Sequence, residues 1–384
     1  MPTKLTLFSI VPYLSSGGLG MKQRSVIAIA IVLAIAVVSV AGYIYAYHVS
    51  QSESEIARES IEYLTEALKN SVKASLKIYK NGELVYYNPN DPITKHWAGL
   101  LVNTFLGCHA LGCYQTVVFK EGTSGAYRLG TTDVIEVKLA IGNGTTPASF
   151  EDYTLENEIA SVELTSADIA VIETEASFEV YLRYAFPIDT DVNISEAGVY
   201  LYARDWERLD KGILAWYHLL IVRDTFTPIA ATAGDSIAVE YAFVFDVSSP
   251  PFTKTFWKLV AFYGLGLKGT GIDLGVSLDT VYYVPTIHVA YVLEPITWDP
   301  DIVDIASVSS KWTPRLWLVS ISESQILVKG FVAQRNAAAT YDVYGIAFYI
   351  YDNTDRLIAL IPLDNVVTVD WSKGFYVELG FSIA

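Results

Sequence analysis

Hydrophobic and polar residues change their spacing along the chain, and each pattern predicts a different element. Residues 25–47 carry no charge and consist almost wholly of Val, Ile, Ala, Leu and Tyr. A run of this length crosses a hydrocarbon core of about 30 Å as a helix. The pattern predicts one transmembrane helix over residues 25–47, in contact with membrane lipid.

The charges beside this run predict its orientation. Lys22 and Arg24 precede it without any acidic residue, whereas Glu53 and Glu55 follow it. Positively charged residues mark the cytoplasmic side of a membrane helix. Residues 1–24 are therefore expected in the cytoplasm, and the rest of the chain is expected outside the cell or on the surface of a virion.

Two alternatives for this segment stay open. Ser39, Val40 and Ala41 form a passable cleavage site, so the run is alternatively a removed signal peptide, although it continues past that site. Met21 is a plausible translation start, as is Met1.

The next pattern is helical and amphipathic. Ala57, Ile61, Leu64 and Leu68 recur three or four residues apart, with charged residues on most of the remaining face. This spacing predicts a stalk helix over residues 48–71. Its apolar stripe either packs on the adjoining domain or associates with neighbouring copies.

Beyond the stalk the period changes to two, which is typical of strands buried on one face. Apolar residues alternate with polar or small ones in two clear segments: Phe178, Val180, Leu182, Tyr184 and Phe186, and Ile237, Val239, Tyr241, Phe243 and Phe245. Turn-rich stretches separate such segments. The outer part is therefore predicted to be mainly antiparallel β-sheet.

An internal repeat predicts that this β region is duplicated. Three landmarks recur in the same order: residues 92–95 as 251–254, 198–201 as 345–348, and 237–245 as 375–383. We expect two tandem β-sandwich-like modules at residues 91–248 and 249–384, preceded by a connecting segment at 72–90. Their short, proline-containing junction is expected to hold them in a fixed orientation.

Composition and charge exclude one class of partner. The 384 residues have a formal net charge of −16, and 52% of them are hydrophobic. Nucleic acids need clustered Lys and Arg to displace their counterions. We therefore expect no binding to nucleic acid.

No constellation predicts a catalytic residue, a cofactor site or a metal site. The five histidines include no two at a metal-ligand spacing: His48, His96, His109, His218 and His288. Two acidic clusters are weak candidates for a cation: Asp189, Asp191 and Asn193, and Asp299, Asp301 and Asp304. The first opens like a calcium loop but has Ile194 where glycine is required, so a plain hairpin turn is preferred.

Two pairs of residues are candidates for covalent modification. Cys108 and Cys113 are the only cysteines, and on the outer side of a membrane they are expected to form a local disulfide; the alternative is a pair of buried thiols. Asn143 and Asn193 begin N-glycosylation sequons in predicted turns. For Asn143 a structural role in its turn is the preferred interpretation.

Several segments of the first module resemble a domain common in structural proteins of tailed bacteriophages, often tail-fibre or tail-associated proteins. They lie at residues 139–147, 155–160, 194–199, 226–229 and 233–239. The resemblance implies a β-sandwich-like virion building block and no catalytic residue. The second module keeps the start and the final strands but lacks the Gly-Thr-Thr-Pro turn and the Leu-Glu-Asn-Glu-Ile segment.

These expectations combine into one hypothesis. The chain is a viral or virus-derived surface protein of the spike or tail type, not an enzyme, that serves in assembly or in attachment to a host receptor. The anchor favours an enveloped virus, such as those of archaea, and self-association or contact with other surface proteins is expected. The alternative is a cellular surface protein or pilin-like filament subunit of an archaeon or bacterium, although no pilin-type processing motif is present.

Overall fold

Antiparallel β-sheet makes up most of the part of the chain that the structure describes. The computed structural model describes residues 72–106, 115–125, 127, 129, 134–204, 216–248, 251–276, 286–309, 311, 316–333, 340–351, 355–369 and 374–382. The prediction of a mainly β protein with few helices is confirmed for these residues. The predicted membrane and stalk helices, at 25–47 and 48–71, lie outside them.

Two antiparallel sheets form the first sheet pair. Its elements are β1 (Val72–Lys80), β2 (Glu83–Asp91), α1 (Lys95–Phe105), β3 (Val117–Val118), β4 (Ser124–Gly125), β5 (Val134–Gly142), β6 (Glu158–Glu163), β7 (Ile169–Glu173), β8 (Ser177–Pro187), β9 (Val192–Arg204), β10 (Trp216–Ala231) and β11 (Ser236–Asp246). One sheet has the order β2-β1-β11-β8-β7 and the other β10-β9-β5-β6. Side chains from both sheets bury together in one hydrophobic core, which gives a sandwich-like arrangement.

A second, smaller sheet pair follows. Its elements are α2 (Lys254–Leu259), continued by a π-helical turn (Val260–Gly264) and a 3-10 turn (Leu267–Thr270), then β12 (Thr286–Val292), β13 (Leu316–Ile321), β14 (Gln325–Ala333), β15 (Tyr341–Tyr351), β16 (Asp355–Val369) and β17 (Gly374–Ser382). The sheet orders are β12-β15-β16 and β13-β14-β17. In the first pair, the strands β5-β9-β10 of one sheet and β7-β8-β11 of the other have the same order. The two sets therefore correspond strand by strand along the chain.

The strand pattern read from the sequence matches the pairing of β8 with β11. Phe178, Val180 and Leu182 are buried, and they lie opposite Phe245, Phe243 and Tyr241, which are also buried. Side chains of a strand point alternately to opposite faces, so this register places both apolar rows in the core.

Residues 72–90, expected to be a connecting segment, form most of the β1–β2 hairpin. The hairpin turns at Asn81 and Gly82, whose φ angles are +53° and +86°. Positive φ at both central residues is what a two-residue hairpin turn requires, and Asn-Gly is the favoured pair. β1 then adds to β11 and buries Val72 and Leu76 in the core.

Both helices lie in the core that the two sheet pairs share. Trp97 of α1 is buried, and its Nε1 donates to the carbonyl oxygen of Gly264 at 2.7 Å. Trp257 of α2 packs on Phe245 of β11, with ring centroids 5.4 Å apart. Because one hydrophobic cluster contains side chains from both pairs, the pairs cannot rotate independently without exposing it.

Candidate functional site

Three of the segments singled out in the sequence converge on one buried carboxylate, Glu196 of β9, which is fully shielded from solvent. Its Oε1 accepts hydrogen bonds from the backbone N–H of Gly144 at 2.9 Å and of Asn157 at 2.7 Å. Its Oε2 accepts from the N–H of Glu156 at 3.0 Å and from Arg223 Nε at 3.0 Å. One side chain thus joins segments 139–147, 155–160 and 194–199.

Arg223 of β10 completes this arrangement, which we call the first hub. Only 3% of Arg223 is exposed, and its Nη1 donates to Asp152 Oδ2 at 2.6 Å. Its Nη2 donates to the carbonyl oxygen of Thr146 at 3.1 Å. A buried charge is tolerated only when it is paired and hydrogen-bonded, and both conditions hold for Glu196 and Arg223.

The loop held by the hub, residues 143–157, is called the first outer loop. Glu156 Oε2 accepts from the N–H groups of Thr145 and Thr146, at 2.7 and 2.8 Å. These hydrogen bonds, that of Thr146 first, lower the pKa of Glu156. Gly144 packs so closely that an added Cβ would lie 2.6 Å from Glu196 Oε1. The Gly-Thr-Thr-Pro turn is therefore fitted to this carboxylate.

The second sheet pair has a loop in the same place, residues 293–307, called the second outer loop. Asn143 N donates to Asn157 O at 3.0 Å, and in the second loop Leu293 N donates to Ser307 O at 3.0 Å. The bridge between Gly142 and Glu158 likewise returns between Val292 and Val308. The two loops have equal length although their sequences differ.

The start of each helix is tied to its sheet pair in the same way. Thr94 caps α1 and donates from Oγ1 to the Leu220 carbonyl oxygen at 2.5 Å. Thr253 caps α2 and donates from Oγ1 to the Leu357 carbonyl oxygen at 3.1 Å. A threonine that caps a helix and also bonds a strand fixes the direction in which the helix leaves the sheet.

The lysine after each threonine holds the outer loop. Lys95 N donates to Phe150 O at 2.8 Å, and Lys254 N donates to Pro300 O at 2.9 Å. Lys95 Nζ lies 3.0 Å from Glu151 Oε1. Lys254 Nζ likewise lies 3.0 Å from Asp301 Oδ1. Asp301, singled out in the sequence as part of an acidic cluster, therefore belongs to this loop attachment.

Among the described residues of the second sheet pair, the hub has no ionic counterpart. Tyr200, under the first outer loop, corresponds to Tyr349 under the second, because each packs with the leucine whose carbonyl bonds the capping threonine. This correspondence places Gly345 and Leu360 where Glu196 and Arg223 stand. Leu360 is fully buried, so apolar packing replaces the ion pair.

The same correspondence corrects the alignment made from sequence. The repeat aligned Tyr200 with Ala347, whereas the contacts align it with Tyr349, two positions further along. Because side chains repeat every two residues in a strand, a shift of two keeps every residue on its face. The sequence pattern therefore predicted the phase of these strands but not their register.

The predicted glycosylation residues lie at the same end of one sheet, where β5 ends and β9 begins. Asn143 is exposed in the first outer loop, and its Oδ1 accepts a hydrogen bond from Asn157 Nδ2. Asn193 is exposed on β9, but Ser195 of the same sequon is buried and donates to Gly144 O at 2.7 Å. Both asparagines remain candidates for glycosylation.

Other candidate residues have structural partners or lie outside the described residues. Asp191, in the calcium-like turn, accepts from Ala233 N at 3.0 Å through Oδ1. His288 Nδ1 lies 3.2 Å from Asp355 Oδ1. Residues 107–114, which include both cysteines, are not among those described, so the disulfide stays a prediction.

A second polar cluster lies where β2 of one sheet meets β10 of the other. We call it the seam and define it by Tyr86, Asn88, Asp91, Asp224 and Tyr241. Asp91 is fully buried, and neither of its carboxyl oxygens has a hydrogen-bond partner. Burial, and then the charge of Asp224, raise the pKa of Asp91 well above its usual range. No sequence pattern marks this cluster, because its members lie far apart along the chain.

Comparison with known proteins gives no relative: no protein-family model, curated protein or solved structure matches this chain. No group of three or more His, Cys, Asp or Glu side chains is arranged around a metal position in the part of the chain described above. Among those same residues, no helix has both the length and the apolar character needed to cross a bilayer.

Proposed function

We propose that this chain is a membrane-anchored structural protein on the surface of a virion or a cell, with a rigid β head built from two diverged copies of one module. Residues 25–47 anchor it, and the head faces outward. Its role is assembly or attachment rather than catalysis, and its partners are other copies, neighbouring surface proteins or a host receptor.

The observation that carries this proposal is that a buried ion pair, Glu196 with Arg223, holds the first outer loop. Glu196 and Arg223 are buried and bonded to the backbone and carboxylate groups of the first outer loop. Residues used in this way hold a loop in a fixed shape and are shielded from any substrate. This supports a building block, which is also what the resemblance to phage tail proteins implies.

Duplication is supported by contacts that recur in both sheet pairs. The capping threonines Thr94 and Thr253, the lysines Lys95 and Lys254, and the two outer loops make matching hydrogen bonds. Chance does not readily produce the same set of main-chain contacts in the same order. The two modules also share one hydrophobic core, so they present a single rigid surface to a partner.

The orientation is tested by adding protease to intact cells or particles. Cleavage is expected in the segment before β1, which would release a folded fragment beginning near Val72. A matched sample opened with detergent controls for protease activity. Full protection in the intact sample, with cleavage only after opening, would overturn the outward orientation.

The structural role is tested by locating the protein. If it is a virion component, purified particles contain it in many copies, in a constant ratio to the other particle proteins. If it is a filament subunit, it is enriched instead in sheared cell-surface filaments, which would favour the alternative. A protein found in neither fraction would remove the support for both.

A further inference from the structure

We infer that the seam is a binding site for a divalent cation of the calcium type, held by Asp91 and Asp224, that joins the β1–β2 hairpin to β10. The two carboxylates come from different sheets, since Asp91 ends β2 and Asp224 lies within β10. A cation between them therefore closes the side of the first sheet pair at which β2 and β10 are the outermost strands.

The first reason to infer a bound ion is the environment of Asp91. It is fully buried, and both carboxyl oxygens lack a hydrogen-bond partner. The hydroxyl of Tyr241 lies near enough to influence Asp91, yet the two groups do not have the geometry of a hydrogen bond. Buried polar groups are nearly always paired with protein, water or an ion. The polypeptide thus leaves the Asp91 oxygens without a well-formed hydrogen bond, which a proton, a water molecule or an ion would supply.

Asp224 supplies the second carboxylate in an orientation already fixed by the protein. Its Oδ2 accepts from Tyr86 Oη at 2.8 Å and from Asn88 Nδ2 at 2.9 Å. Its Oδ1 accepts from Thr225 N at 2.7 Å. Three donors therefore hold this carboxylate in one orientation. Its 6% exposure leaves little room for water to offset the charge of a second carboxylate nearby.

The class of ligand follows from these groups. Every side-chain atom offered to the site is an oxygen, apart from the amide nitrogen of Asn88, and oxygen donors suit hard cations. Two carboxylates balance the charge of one divalent ion. Calcium accepts irregular oxygen shells with water, whereas magnesium demands near-octahedral geometry. Tyr86 and Asn88, which bond to Asp224, are only partly buried, so the seam reaches the protein surface at these two side chains.

The rival explanation is a single proton on Asp91, with no metal. The titratable groups that face Asp91 are Asp224 of β10 and Tyr241 of β11, with Tyr86 of β2 beside Asp224. A proton would neutralise Asp91 alone and would leave no dependence on calcium. The two explanations therefore differ in a measurement that needs no knowledge of the protein's biological role.

The test uses the full-length protein in detergent, stripped of metal and titrated with terbium and then with calcium. Tyr86 and Tyr241 flank the site, so terbium bound there should show emission sensitised by tyrosine and displaced by calcium. Calcium should also raise the thermal midpoint. Once calcium exceeds its dissociation constant, about 10⁻⁴ to 10⁻³ M for extracellular modules, each further tenfold rise should lower the unfolding equilibrium constant about tenfold.

Asp91→Asn should abolish both the terbium emission and the calcium response. Asp191→Asn is the matched control, because Asp191 is an exposed acidic residue whose oxygen accepts from Ala233 N, and asparagine keeps that acceptor. It should keep both responses. Asp91→Asn removes a buried charge without changing volume, and a thermal midpoint at or above that of the metal-free wild type would show that it folds.

Three results would overturn the inference. Wild type with no calcium response would do so, and so would a response that Asp91→Asn retains. Stability that follows pH but not calcium would assign the seam to a proton instead. None of these results bears on the outward orientation, which is tested by protease on intact cells or particles.

Discussion

Replacing Arg223 with leucine should destabilise the protein through Glu196. Leucine stands at the equivalent position of the second sheet pair, Leu360, so the substitution suits this fold sterically. In the first sheet pair, however, it removes the cation that faces the fully buried Glu196. It also removes the donors to Asp152 and Thr146.

The expected magnitude follows from what remains around Glu196. Removing one partner of a buried ion pair costs about 3–5 kcal/mol, because the other charge is left uncompensated. Glu196 keeps three backbone donors, Gly144, Glu156 and Asn157, which still stabilise its charge. We therefore expect the lower end, about 3 kcal/mol of lost unfolding free energy.

The assay is equilibrium unfolding of the full-length protein in detergent, followed by tryptophan fluorescence, with hydrogen exchange of residues 143–157 as a local readout. The matched control is Lys95→Met, which removes an ion pair with side chains 43% and 64% exposed. Exposed pairs contribute about 0–1 kcal/mol. Exchange in the first outer loop should accelerate strongly in Arg223→Leu and little in the control.

A double-mutant cycle with Glu196→Gln checks the cause. Glutamine removes the charge that Arg223→Leu leaves unpaired, so the double variant should lose less stability than the sum of the two single variants. Strict additivity would refute the coupling between the two side chains. A loss below about 1 kcal/mol for Arg223→Leu would refute the claim that the ion pair holds the loop.

Three further outcomes follow from the same structure. Gly144→Ala should destabilise the protein by about 1–3 kcal/mol through overpacking, whereas Gly125→Ala, whose added Cβ meets nothing within 4 Å, should change urea midpoints little. In metal-free protein, Asp91→Asn should gain stability over wild type as pH rises from acid to neutral, measured as the difference in thermal midpoint. Burial raises the pKa of Asp91 in the folded protein. The contribution of Asp91 to the unfolding free energy is therefore fully present below the usual carboxyl pKa, and it is lost as pH rises through the raised pKa of the folded state. Trp97→Phe removes the hydrogen bond to Gly264, which should cost about 1 kcal/mol of unfolding free energy in addition to the packing lost with the smaller ring. An unchanged unfolding free energy would show that this bond does not contribute.

Local patterns in the sequence were sufficient for the class of fold and for the phase of its strands. In β8 and β11 the large apolar side chains alternate along the strand, and the structure places that face of each strand in the core. The repeated segment at residues 92–95 and 251–254, recognised in the sequence only as a repeat, lies at the start of both helices, where its threonine is the cap.

Tertiary structure alone decided how distant segments meet. The register of β15 differs by two residues from the alignment by sequence, because a period of two fixes the face of a strand and leaves its position along the neighbouring strand open. The second outer loop keeps the length and main-chain contacts of the first with few of its side chains, so no motif marked it. Glu196 and Arg223, like Asp91 and Asp224, are brought together by strand pairing and chain crossing, and long-range packing of this kind leaves no local pattern in the sequence.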